Sequence, residues 1–121
     1  MAKTVCKILG VVFLLVGVIG FAAPNLLGAH LTPAHNVVHL VSGVLALYFG
    51  FAGTLSAAKM FSLVFGVVYL ALGILGMALG EGSDRMWHPA GLLTLGTADH
   101  GIHILLGVLF LAGGLFTKRV D

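Results

Sequence analysis

Four long apolar runs occupy most of this sequence, and they are almost free of charged residues. The runs cover residues 8–23, 37–55, 60–79 and 102–116. A helix needs about 20 apolar residues to cross the hydrocarbon core of a bilayer. The two middle runs reach that length directly, and the outer two reach it with flanking residues such as Val5 and Gly101. Because the runs are continuous rather than alternating, they indicate helices and not the strands of a membrane barrel.

The composition leads to the same class of protein. The chain is 60% hydrophobic and only 8% charged, and its mean hydropathy is +1.15. A soluble domain of this size cannot bury so much apolar surface. The sequence therefore predicts an all-α protein, a four-transmembrane-helix bundle that forms a single integral membrane domain over residues 1–121. Cys6 is the single cysteine, so an intrachain disulfide is excluded.

Two pairs of segments resemble each other and predict an internal repeat. Residues 12–21 match residues 68–77 at a shift of 56 positions, and residues 35–47 match residues 99–111 at a shift of 64. This match also favours a retained first helix over a cleaved secretory signal. We predict two homologous helical hairpins, at about residues 5–55 and 59–117. Hairpins of the same orientation form a parallel repeat about an approximate two-fold axis along the membrane normal.

The basic residues predict the orientation of the bundle. All of them except Arg85 lie at the two ends of the chain or at the turn between the second and third spans: Lys3, Lys7, Lys59, Lys118 and Arg119. By the positive-inside rule, both termini face the cytoplasm of a bacterial inner membrane. In this interpretation the net charge of +2 is a signal of membrane orientation and not of nucleic-acid binding. With no basic patch interleaved with aromatic residues, the partners expected are lipid and protein rather than nucleic acid.

Histidines inside apolar sequence are the candidate site. His35 and His39 share one helix face, and Asp99 and His103 share another, because residues four apart project together. The repeat places the two pairs at similar depth near the outer membrane face. Three imidazoles and a carboxylate form a sensible ligand set for divalent zinc, copper or nickel. His100 could take the place of Asp99 as a ligand. Asn36 would contact one of the ligating side chains and fix its orientation.

Two other interpretations of these residues stay open. His39 and His103 would serve as the axial ligands of a b-type haem, with Gly43 and Gly107 leaving room for the ring. Alternatively, the histidines form interhelical polar contacts, and Asp99, Asn36 or His35 cap helix N-termini. Glycines recur every seven residues along the spans, which also fits plain helix packing. The loop residues His30 and His88 have no matched partner and are expected to face water or lipid headgroups.

No motif in the chain supports enzyme chemistry. The sequence contains neither a Gly-x-Ser-x-Gly elbow nor a His-Glu-x-x-His helix. We therefore expect a non-enzymatic membrane protein, either a small subunit or a homo-oligomer, with a paired-histidine site for haem or a divalent metal. The alternative is a purely structural accessory subunit that packs against a larger membrane complex.

A polar-x-x-His-x-x-x-Gly-x-Leu pattern occurs twice, at Asn36–Leu45 and at His100–Leu109. With four short apolar spans, this pattern resembles a family of small bacterial four-helix membrane proteins catalogued as a domain of unknown function. The glycine-rich spans are more loosely similar to DoxX-like membrane proteins. The resemblance covers nearly the whole chain. It implies a bacterial inner-membrane protein with four helices, and it implies no activity.

Overall fold

Four α-helices make up the computed structural model, which describes residues 2–23, 31–89 and 93–117. They are α1 (Ala2–Ala22), α2 (Pro33–Phe51), α3 (Leu55–Leu79) and α4 (Thr97–Leu115). Each is long and apolar enough to cross a membrane. The predicted four-helix membrane bundle is therefore confirmed. Its orientation stays a prediction, and Lys118, Arg119 and His30 lie outside the described residues.

The helix starts differ from the apolar runs that predicted them. Both α2 and α4 begin more than a turn before their runs, so that His35 and Asp99 lie inside helices. The Thr32 side chain caps α2 by accepting a hydrogen bond from the backbone N–H of His35 at 3.3 Å. The expected capping of α2 by Asn36 or His35 is therefore wrong. In α4, Asp99 Oδ2 accepts the backbone N–H of Gly96 at 2.8 Å, so the expected capping role of Asp99 is confirmed.

Glycines bring the backbones close together within each hairpin. A Cβ added at Gly43 of α2 would lie 2.8 Å from Leu14 Cγ of α1. A Cβ added at Gly107 of α4 would lie 2.5 Å from the backbone nitrogen of Leu70 in α3. Helices in lipid associate through such small-residue contacts because no hydrophobic driving force operates between them. Thus α1 packs tightly on α2, and α3 packs tightly on α4.

The contacts of the two hairpins correspond to each other. Leu14 and Gly43 in the first hairpin occupy the positions of Leu70 and Gly107 in the second, at the shifts of 56 and 64 seen in the sequence. Three further contacts of the first hairpin have counterparts in the second at the same shifts. Gly10 with Leu47 corresponds to Gly66 with Leu111, Gly17 with Leu40 to Gly73 with Ile104, and Gly20 with Asn36 to Gly76 with His100. The origin of the hairpins by duplication stays a prediction from the sequence.

Aromatic rings pack between the two hairpins. Phe13 of α1 lies 5.4 Å from Tyr69 of α3 and 6.1 Å from Phe110 of α4, measured between ring centroids. At the end of the bundle near the start of α1, Cys6 Sγ and Ser62 Oγ are 3.5 Å apart. The pairs Phe13–Tyr69 and Cys6–Ser62 are each related by the shift of 56. Contacts between equivalent positions fit the approximate two-fold axis that the sequence predicts.

Candidate functional site

Three buried histidines converge between the two hairpins. His35 and His39 of α2 and His103 of α4 each offer a ring nitrogen, and these nitrogens all lie within 4.8 Å of one another. The centroid of the His35 ring is 4.2 Å from that of His39 and 5.7 Å from that of His103. Their exposed fractions are 2%, 6% and 3%. The predicted convergence of α2 and α4 histidines is therefore present in the structure.

Two of these imidazoles pack against aromatic rings. The Phe13 ring lies 5.7 Å from the His39 ring, and the Tyr69 ring lies 5.5 Å from the His103 ring. The Tyr69 hydroxyl in turn shares a hydrogen bond of 3.0 Å with Ser42 Oγ, one turn beyond His39 on α2. Two aromatic rings therefore pack against the cluster, and the hydrogen-bonded pair Ser42–Tyr69 lies next to them.

His39 and His103 each keep a buried ring nitrogen that no atom in the described part of the chain hydrogen-bonds. Among the described residues, His39 Nδ1 and His103 Nδ1 are buried and neither donate nor accept a hydrogen bond. Buried polar atoms in folded proteins are nearly always satisfied, so each exception calls for an explanation. An unprotonated imidazole nitrogen is also the atom that binds a metal ion. The site thus presents ring nitrogens that protein contacts leave unused.

Asp99 was predicted as a ligand but is not among the three described residues whose ligand atoms converge. Its side chain is 2% exposed and lies four residues before His103 on α4, on the same helix face. One carboxylate oxygen is engaged by the backbone N–H of Gly96. The predicted ligand Asp99 is therefore buried on the same face of α4 as His103, but outside the group of converging ligand atoms.

His100 and Asn36 point elsewhere. The His100 ring contacts Gly76 in the interface of α3 with α4, and its Nε2 donates a hydrogen bond of 2.7 Å to the carbonyl of Arg85. Asn36 contacts Gly20 in the equivalent interface and donates from Nδ2 to the carbonyl of Leu31 at 3.3 Å. Neither belongs to the described histidine cluster. The structure therefore does not bring His100 to the site as a substitute ligand, nor Asn36 as its neighbour.

Gly43 and Gly107 lie on the packed faces inside the hairpins. Leu14 fills the space beside Gly43, and the backbone of Leu70 fills the space beside Gly107. These contacts favour the packing interpretation of the glycines over a cleft for a flat ring.

Comparison with known proteins gives a family but no activity. A family model for a domain of unknown function, DUF4383, matches residues 3–116. The chain belongs to the DUF4383 family. This match confirms the resemblance to an uncharacterised family that the repeated histidine pattern suggested. No curated protein and no solved structure matches the chain.

Sequence reasoning did not assign Tyr69 a place at the site of this DUF4383 protein. Its hydroxyl sits in an otherwise apolar run, where hydropathy carries no information about side-chain direction. One signal was present, because Tyr69 is the equivalent of Phe13 at the shift of 56 and so faces the same axis. Ser42, three residues after His39, lies on the histidine face of α2 for the same helical reason.

Proposed function

We propose that this chain is a small, non-enzymatic membrane protein that binds a transition-metal ion through His35, His39 and His103. The observation that carries the proposal is the convergence of three buried ring nitrogens within 4.8 Å. Nitrogens that bind one ion at 2.0–2.1 Å lie about 3.5 Å apart. Small rotations of these side chains would bring the nitrogens from within 4.8 Å to this shorter separation. Zinc, copper and nickel all accept imidazole ligands.

The surroundings of the histidines favour a single ion over a haem. A porphyrin between His39 and His103 would have to displace the His35 ring, which lies against both. It would also have to displace Phe13 and Tyr69, which pack against the same two imidazoles. A metal ion needs only the space between the nitrogens themselves.

A structural accessory role is the second candidate. It is favoured by the apolar side chains that all four helices expose along their outer faces, such as Val18, Val44, Val67 and Leu105. Such surfaces suit lipid, a second copy of the chain or a larger membrane complex. In that case the histidines act as polar contacts between hairpins. Placement in a bacterial inner membrane with both termini in the cytoplasm belongs to either proposal.

The test is an elemental analysis and a UV–visible spectrum of the detergent-purified protein after incubation with metal and removal of the excess. We expect one ion per chain and no Soret band. His39→Ala and His103→Ala should each abolish binding, whereas His88→Ala, which changes an exposed loop histidine, should retain it. A protein that stays metal-free and colourless, and that folds equally well with either cluster variant, would favour the accessory role. A Soret band lost in both variants would restore the haem interpretation.

A further inference from the structure

The three histidines form two half-sites, one on each hairpin. In the first hairpin, His39 of α2 packs against Phe13 of α1, with 5.7 Å between the ring centroids, and His35 lies beside it. In the second hairpin, His103 of α4 packs against Tyr69 of α3 at 5.5 Å. The shifts of 56 and 64 relate these two ring pairs. Each hairpin therefore carries its own imidazole on its own aromatic ring.

Imidazoles connect α2 with α4 at the end of the bundle where these two helices begin, which we call the histidine end. Among the described helices, α2 and α4 make the least backbone contact with each other. The His35 ring reaches across to the His103 ring, with 5.7 Å between their centroids. An ion bound by both half-sites would therefore link the hairpins directly.

The opposite end of the same interface is closed by contacts within the protein. The backbone N–H of Ala2 in α1 donates a hydrogen bond of 2.7 Å to Thr117 Oγ1, just after α4. A Cβ added at Gly113 of α4 would lie 2.8 Å from Val5 Cγ2 of α1. The hairpins are thus joined at this end without an added group.

We propose that the bound ion fastens the two hairpins together at the histidine end, so that metal occupancy sets their separation there. This inference rests on the proposed metal-binding function and adds a conformational consequence to it. The opposite end stays closed in both states. Because His39 and His103 are each packed on a ring of their own hairpin, drawing their nitrogens closer also draws the hairpins closer.

The unsatisfied nitrogens supply the reason for two states. In the described structure, His39 Nδ1 and His103 Nδ1 are buried and have no hydrogen-bond partner. Burying a polar atom without a partner is costly, so removal of the ion favours a looser arrangement in which water reaches these nitrogens. An ion that binds best when the half-sites are close shifts the protein toward the closed arrangement.

The repeat supplies matched positions for measuring the separation at each end. Val18 of α1 and Ile74 of α3 are equivalent at the shift of 56, are exposed, and lie toward the histidine end. Ile8 and Val64 are equivalent in the same way, are exposed, and lie toward the opposite end. All four positions are on helices that contribute no nitrogen to the cluster.

The experiment measures distances between spin labels by pulsed EPR in the detergent-purified full-length chain, with and without zinc(II), which has no unpaired electrons. One protein carries Val18→Cys with Ile74→Cys and the other Ile8→Cys with Val64→Cys, both with the native thiol removed by Cys6→Ser. Zinc should narrow the distance distribution of the first pair and shorten its mean by about 1 Å, since nitrogens within 4.8 Å move to about 3.5 Å. The second pair should not change.

The control variant keeps one half-site and removes the other. His103→Ala leaves both histidines of α2 in place but takes the ligand from the second hairpin. In this variant zinc should no longer narrow the distribution at the histidine end. A narrowing that persists would contradict the link between the hairpins.

The outcomes separate this inference from the function on which it rests, because elemental analysis gives the zinc content of each protein. One zinc per chain with unchanged distances, or with equal changes at both ends, would overturn the fastening and leave the metal site intact. A wild-type chain that binds no zinc would overturn the inference, and one that also binds neither copper nor nickel would overturn the proposed function itself.

Hydrogen exchange of the wild-type chain provides the same test if the labelled proteins fail to fold. Zinc should slow exchange in the last turns of α1 and α3, at residues 16–22 and 72–79, which contain no histidine of the cluster. The first turns of the same helices should be unaffected. Protection confined to α2 and α4 would show that the ion binds without moving the hairpins.

Discussion

The interfaces inside the hairpins and the interface between them are built from different residues. Inside a hairpin, glycines let one backbone approach the next, as Gly43 does with Leu14 and Gly107 with Leu70. Between the hairpins, larger side chains meet: the rings of Phe13 and Tyr69 and the histidine cluster. Gly113, which faces Val5 of α1, is an exception among the glycine contacts.

This difference indicates where the chain can carry chemistry. A surface packed through glycine brings two helices close together and leaves little room for a ligand between them. The surface between the hairpins contains hydroxyl, thiol and imidazole groups, including the pairs Ser42–Tyr69 and Cys6–Ser62. The proposed metal site therefore lies where the two hairpins meet.

The largest effect that we predict concerns the interface inside a hairpin. Gly107→Ala should lower the free energy of unfolding by about 3 kcal/mol, at the upper end of overpacking costs. The added methyl group would lie 2.5 Å from the Leu70 backbone nitrogen and 2.7 Å from its Cα. Backbone atoms cannot move aside without moving α3. Unfolding of the detergent-solubilised protein, followed by circular dichroism, measures the change.

The matched control lies on the same helix. A Cβ added at Gly101 meets no atom of the described structure within 4 Å, and Gly101 is exposed. Gly101→Ala should therefore leave stability unchanged or raise it by up to about 1 kcal/mol, because alanine is the better helix former. Equal stability of the two variants would show that the close approach of α3 and α4 is not a feature of the folded protein.

The fold could be predicted from the sequence because membrane insertion depends on continuous apolar length. The helix starts could not, since Lys3 and Asp99 interrupt the hydropathy signal although both lie within helices. Local hydrogen bonds decide those boundaries, as the Thr32 cap does for α2. Hydropathy measures the transfer of side chains to lipid and carries no information about caps.

The site could be predicted in part for a similar reason. The spacing of four residues placed His35 and His39 on one face, and the repeat placed His103 opposite them. The error concerned His100, which follows Asp99 directly in the sequence. Successive helix residues differ by about 100° in direction, so His100 projects into the interface with α3, where it contacts Gly76. Sequence spacing alone does not say which of two adjacent polar residues faces the axis.

A second prediction compares these two kinds of buried histidine. Metal at 100 times its dissociation constant should stabilise the wild-type protein by about 2.7 kcal/mol, since it binds the folded form. His103→Ala should abolish this increment because it removes a nitrogen of the cluster. His100→Ala should retain it, although loss of the hydrogen bond to the Arg85 carbonyl should lower the baseline stability by about 1 kcal/mol. Unfolding curves with and without metal give both quantities.

The reverse result would remove the distinction between the interfaces. If His100→Ala lost the metal increment and His103→Ala retained it, the ligand site would lie inside the second hairpin. Equal loss in both variants would indicate that both histidines contribute to the metal site.

The smallest predicted effect concerns the polar pair beneath the histidines. Tyr69→Phe should keep the ring contacts with Phe13 and His103, since phenylalanine occupies the equivalent position in the first hairpin. It removes the 3.0 Å hydrogen bond to Ser42. Interhelical hydrogen bonds in membrane proteins contribute about 0.6 kcal/mol on average, so a double-mutant cycle with Ser42→Ala should give a coupling of that size.

Metal affinity should not change, because the hydroxyl binds Ser42 rather than the ion. A coupling near zero would mean that aromatic packing alone joins the hairpins at this level. A loss of metal affinity in Tyr69→Phe would extend the site from three imidazoles to the phenol, and the polar pair would then belong to the metal centre rather than to the packing between hairpins.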